Sequence, residues 1–137
     1  MKNLYATIYL KGSPDPSVVR RCAANITNAS DNDVIVSDDI LKATDEKRTY
    51  IIKQQCPING FSEYLVIDDR MPKKSDSAAA LDASKGDIHV FARDDSFIDE
   101  AFVLKEYKNG EEIGFIKFNE SDDGMLTIRP TISKKAQ

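Results

Sequence analysis

The side chains able to do chemistry are few and dispersed. His89 is the single histidine, which removes multi-histidine metal sites and any mechanism built on two histidines. It shares a strand face with Phe91 and Arg93, where a structural or surface role is the expectation. Carboxylates come as doublets: Asp38-Asp39, Asp68-Asp69, Asp94-Asp95, Asp99-Glu100, Glu111-Glu112 and Asp122-Asp123. Neighbours on a strand point to opposite faces, so a doublet does not by itself make a shared acid–base site. Most of these doublets fall at turns, where aspartate hydrogen-bonds locally. Asp31-Asn32-Asp33 imitates the start of a calcium loop, but Val36 takes the glycine position and Lys42 the twelfth, so the match fails. The six glycines form neither a phosphate loop nor a nucleophile elbow. Cys56 has no histidine near it in sequence to activate it.

The totals narrow the classes further. Nineteen basic against 23 acidic residues give a net charge of −4, the wrong sign for a general nucleic-acid binder or an anionic membrane surface. The basic cluster of Arg70, Lys73 and Lys74 is too short to reverse that. Two cysteines, Cys22 and Cys56, are too few for a disulfide framework; two reduced thiols in a cytoplasmic setting are the expectation, a single disulfide between them the alternative. Leu4 to Leu10 is rich in tyrosine and β-branched residues and reads as a first strand rather than a signal sequence. No run approaches the ~20 apolar residues of a membrane span.

These residues need elements to position them. At 137 residues the expectation is a single α+β domain over 1–137, burying about two-thirds of its open-chain surface. Asp15 and Pro16 form a helix-start signal. Val18, Val19, Cys22, Ile26 and Ala29 then recur at helical spacing, with Arg20, Arg21, Asn25 and Asn28 on the other side. This is the one main N-terminal amphipathic helix, ending near Asn28. Val34-Ile35-Val36 reads as a strand. Ser37 to Lys42 is either a capped helical turn or a strand pairing back with Arg48 to Gln54; the strand is the reading adopted. Glu63 to Asp68 and Asp87 to Arg93 are strands. Residues 70–86 read as a mobile loop, with a competing short helix over Ala78 to Ala83 capped by Ser75 or Ser77. Leu81 is its only large apolar residue. The C-terminal third reads as strands Ala101 to Lys108, Glu111 to Asn119 and Met125 to Arg129, then a short flexible tail. The whole is a mostly antiparallel, meander-like sheet carrying one helix.

Asn109-Gly110 calls for a two-residue type I′ turn, which pairs Lys108 with Glu111. Counting back sets Val103 opposite Ile116, Leu104 opposite Phe115 and Ala101 opposite Phe118. A five-residue loop then aligns Leu126 and Ile128 with Phe118 and Ile116. The helix would sit on the Val103 face. The other face would gather Phe102, Leu104, Ile113 and Phe115, rimmed by Glu106, Lys117, Thr127 and Arg129. An apolar centre with a charged rim is either covered by the chain itself or an interface.

The expected function is a non-catalytic protein-binding module, such as a small inhibitor, immunity or regulatory protein, using Phe102, Leu104, Glu106, Phe115, Lys117 and Arg129. Its partner would be another protein or a second copy. The alternative is a small-molecule-binding domain or a minor enzyme using a carboxylate or His89 in a curved-sheet pocket. No cofactor, metal or catalytic residue is expected. Incubation with EDTA should therefore leave the melting temperature unchanged, and a large fall would reveal a carboxylate site that the sequence conceals.

Overall fold

The computed structural model describes residues 2–45, 47–70, 73–94, 102–120 and 126–134; for 119–120 and 126–134 it describes the backbone alone. Within them run β1 (Asn3–Lys11), α1 (Pro16–Thr27), β2 (Val34–Ser37), β3 (Thr49–Gln54), β4 (Phe61–Asp68), α2 (Asp76–Ala83), β5 (His89–Arg93), β6 (Phe102–Lys108), β7 (Glu111–Glu120) and β8 (Leu126–Lys134). The fold is α+β, with two helices rather than one and a sheet ordered β2-β3-β4-β1-β5-β6-β7-β8. Only its second half, β5 to β8, is the simple meander expected. The first strand of the chain lies at the centre, and β2 pairs with β3 in parallel. Of the expected strand over 37–42 only Ser37 is strand, ending β2 opposite Ile52; Ile40–Lys42 is a 3-10 turn, and the antiparallel partner of β3 is β4 rather than that segment.

Helix α1 starts at Pro16, whose missing N–H costs nothing at that position, and ends where Asn28 turns left-handed at φ 55°. Asp15 contributes its backbone carbonyl to Val18 and Val19, but its side chain makes no cap bond. Val19, Cys22 and Ile26 face the sheet and are buried, as their spacing demands. The second helix corrects the open-loop reading of residues 70–86. Ser75 caps it by accepting from the Ala78 N–H, and Asp76 accepts from the Thr7 N–H on β1. Ala79, Ala80 and Ala83 are fully buried, so this helix packs by close approach rather than by large side chains. Lys74 ties its start, bonding Asp82 at 2.8 Å and sending its N–H to the Tyr5 carbonyl. Both helices share one face of the sheet, above Ala6, Ile8, Leu10, Ile51, Val66 and Val90.

The opposite face is also apolar, and the sheet bends to hide it. Among the described residues, β1 and β5 pair only through Tyr9 and Phe91, a thin seam between two four-stranded halves. Phe61 on β4 meets Phe91 at 5.0 Å and Phe118 on β7 at 5.6 Å between ring centroids. In a flat sheet β4 and β7 would stand four strand spacings apart, about 19 Å. The contact therefore requires a strong curl, whose concave interior holds Tyr9, Ile58, Phe61, Phe91, Leu104, Ile116 and Phe118. Beyond the curl, Tyr50, Ile52 and Ile67 form a third cluster, covered by Ile35 and Ala43.

The hairpin turn is as expected, with positive φ at both Asn109 and Gly110, and Lys108 does pair with Glu111. The register beyond it is not. Tyr107 pairs with Glu112 but Glu106 pairs with Gly114, leaving Ile113 as an extra residue in a bulge. From there Leu104 faces Ile116, and Phe102 faces Phe118. The slip of one residue turns the β7 side chains beyond the bulge to the other face. On β8, Ile132 rather than Ile128 aligns with Ile116, past an irregular stretch that contains Pro130 on this edge strand.

A buried polar lock closes the end of α1. Asp68, 1% exposed, accepts the Thr49 hydroxyl at 2.5 Å and two Arg70 side-chain N–H groups at 2.8 and 3.0 Å. Arg70 also donates to the Thr27 carbonyl at the helix's negative end. Burial pushes the Asp68 carboxyl up, but the Arg70 and Thr49 hydrogen bonds outweigh it and hold the group at about 2, below the ordinary 3.8.

Two outcomes follow from this packing. Ile26→Ala and Leu104→Ala, one beneath the helix and one inside the curl, should each cost roughly 2–5 kcal/mol in denaturant titrations. Asp68 stabilises the fold fully above the unfolded carboxyl's value and loses that contribution as pH falls from near 4 past about 2. Its part is about 2 kcal/mol at most, reduced by the solvent around the half-exposed Arg70. Melting temperature should drop across this window, and the Asp68→Asn protein should show a shallower drop.

Candidate functional site

The residues expected to form a binding surface do not share one. Phe102, Leu104 and Glu106 lie on the concave side; Phe115 and Lys117 lie on the helix side, because of the Ile113 bulge. Leu104 is 0% exposed and belongs to the core. Phe102 is half-buried against Tyr9, with the Arg93 guanidinium 4.8 Å above its ring. The side chain of Arg129 lies outside the described residues, as does the Ala101 pairing. Glu106 meets His89 instead, Oε1 standing 2.6 Å from Nε2, out of line for a hydrogen bond. Neither of the two pockets described below is lined by this pair.

The exposed apolar surface lies at the other end of the sheet. Among the described residues the large apolar side chains left in solvent are Leu4, 36% exposed, Ile40, 51%, and Leu41, 82%. Ile40 and Leu41 sit on the 3-10 turn that follows edge strand β2. That turn is built, not slack. Ser37 Oγ accepts from the Asp39 N–H at 3.2 Å, and Asp39 Oδ1 accepts from the Leu41 N–H at 2.9 Å. The Ala43 N–H closes on the Ile40 carbonyl, and the Asp45 N–H reaches the Tyr50 hydroxyl. Ala43 is thereby pressed onto the Tyr50, Ile52 and Ile67 cluster while Ile40 and Leu41 are held outward.

Beside this knob an open pocket of about 590 Å³ runs round the β2 edge. Its walls include Pro14, Pro16, Val19, Val36, Tyr50 and Tyr64, with Lys42 and Lys53 at its margin. Knob, strand edge and pocket are contiguous, since Ile35, Val36, Ser37 and Asp38 line the pocket and lead straight into the turn. A smaller pocket of about 400 Å³, between Gly12-Ser13 and residues 53–62, includes Cys56.

Charge marks the same segment. The chain holds 23 acidic and 19 basic residues; positions 31–45 contain five of the former and only Lys42 of the latter, leaving 18 of each elsewhere. The net −4 therefore coincides with the stretch flanking β2. Lys42 pairs with Asp38 at 3.4 Å and Arg48 with Asp45 at 3.6 Å, exposed pairs that screen the field only weakly. The sequence carried both signals. An adjacent apolar pair behind a Ser-Asp-Asp cap is one, and the lopsided local charge is the other. Reading 37–42 as a strand buried the first, and counting charge over the whole chain hid the second.

The two cysteines, Tyr9 and the paired aspartates Asp68 and Asp82 are engaged in structure. Burial raises the Cys22 thiol to about 12 and also raises Cys56, which disfavours thiolate chemistry at both. Burial and the Glu63 hydrogen bond raise the Tyr9 hydroxyl. Asp68 and Asp82 are both held low by cations that outweigh burial, the opposite of a poised general acid. No protein-family model, curated protein or solved structure matches this chain.

Among the described residues this arrangement offers an apolar surface that can bind. Because Leu41 is solvated in the folded chain, Leu41→Ser should shift unfolding free energy by no more than about 0.5 kcal/mol. Chemical denaturation checks this, and a large loss would show that the turn is part of the core.

Proposed function

We propose that the protein acts without catalysis, as a cytoplasmic inhibitor, immunity or regulatory factor that occupies the surface of another protein. The observation that carries this reading is the pair Ile40 and Leu41, held out in solvent beside an apolar pocket by a hydrogen-bonded turn. Leaving a leucine exposed forgoes roughly 1.5–3 kcal/mol of burial free energy. A built turn that does so is best accounted for by a partner that completes the burial. The binding edge replaces the C-terminal sheet face expected from hairpin counting, whose Leu104 is in the core. Two free thiols suit a reducing compartment, and among the described residues no helix is long and apolar enough to cross a membrane.

The pocket could also suit a small molecule, since its volume is in the usual range. It is open along a strand edge, however, which favours a macromolecular occupant. The test is affinity purification from the native host with the wild-type chain and with an Ile40→Ser/Leu41→Ser chain of matched stability. A specific protein should be recovered by the first and retained at least tenfold less by the second. Equal recovery would overturn the assignment of this edge.

A further inference from the structure

We infer that the partner is a folded protein presenting a basic surface around an apolar socket, and that a second copy of this chain is not the occupant. The inference rests on the protein-binding reading of the β2 edge and adds the chemistry of what binds there. Asp31 and Asp33 stand at the start of β2, and Asp38 and Asp39 at its end, so acidic groups bracket the pocket and the Ile40–Leu41 knob. Asp31, Asp33 and Asp38 are exposed, and the rest of the chain's formal charges cancel. The acidic segment and the exposed Ile40–Leu41 pair therefore coincide, so an approaching partner meets negative charge around an apolar knob. A surface rich in lysine and arginine is drawn to that segment and oriented by it before contact.

The same charge argues against self-association. Docking two copies through this edge would set one net-negative segment against the other, which disfavours the pairing of like patches. Among the described residues, the cations near this edge are Lys2, Lys42, Arg48 and Lys53, and two of them are already engaged, Lys42 by Asp38 and Arg48 by Asp45. Nucleic acid and anionic lipid are repelled for the same reason. A projecting leucine needs a concave seat, which a folded protein supplies and an extended basic peptide does not.

The test places a photoreactive amino acid at Lys42, in the full chain, and irradiates it in the native host. The crosslinked protein is identified, purified, and its binding to the wild-type chain followed by stopped flow. The crosslinked region should be rich in lysine and arginine. Raising salt from 50 to 500 mM should slow association about tenfold or more. Asp33→Lys/Asp38→Lys should slow association similarly at low salt and blunt its salt dependence, with dissociation little changed. Leu41→Ser should act the other way, speeding dissociation while association stays near wild type. A crosslink to a second copy, or to a neutral or acidic surface, would overturn the inference while leaving the protein-binding reading standing. So would association indifferent to salt. Absence of any crosslinked protein, together with equal recovery in the purification above, would overturn both.

Discussion

A sheet that is apolar on both sides has two faces to hide, and two short helices can cover only one. Here the second face is hidden by curvature, and the contact that sets the curvature is the ring of Phe61 against Phe91 and Phe118. Strands four places apart in the sheet meet there. The seam between the halves is a single residue pair, Tyr9 and Phe91, so little ladder hydrogen bonding resists the bend. Tyr9 fills the seam from the concave side, with its hydroxyl on Glu63. The aromatic-rich face of β6 and β7 is thus an interior.

That choice decides where the protein has surface to offer. The curl consumes Leu104, Ile116 and Phe118, and the helices consume Ile8, Ile51 and Val90. At the far edge, beyond β3 and β4, the outer face of Tyr50, Ile52 and Ile67 needs a separate cover, and the chain folds residues 38–45 across it. The cover is thin. Ala43 does the packing, while the neighbours needed to complete the turn, Ile40 and Leu41, are left outside. An exposed apolar knob on a rigid base loses little conformational entropy on docking, which is what makes such groups effective anchors.

Polar contacts hold these layers in place. Asp68 joins β3, β4 and the end of α1 through Thr49 and Arg70. Lys74 and Asp76 join α2 to β1 and α1 through Tyr5, Thr7 and Ile26. Asp68 and Asp82 are each met by cations, Arg70 for the first and Lys74 and Lys85 for the second, which explains why both carboxyl groups are held low rather than raised toward neutrality.

Local rules account for what was legible in the sequence. Helix α1 announces itself by its Pro16 start, its apolar spacing and its Asn28 stop, all set within a few turns of chain. The Asn109-Gly110 turn needs only two residues that tolerate positive φ, and most strands follow from β-branched and aromatic runs. What the tertiary structure decided is which side of each strand faces what. One extra residue at Ile113, beside a glycine with no side chain to place, inverts the faces of β7 and disperses the expected site. The alanines of α2 gain their value only when α1 and β5 approach closely enough to touch them, an energy that propensity does not contain. The exposure of Leu41 depends likewise on Ala43 finding Tyr50, Ile52 and Ile67, contacts between segments apart in sequence. Periodicity reports what a residue prefers. Burial is settled by which neighbours arrive.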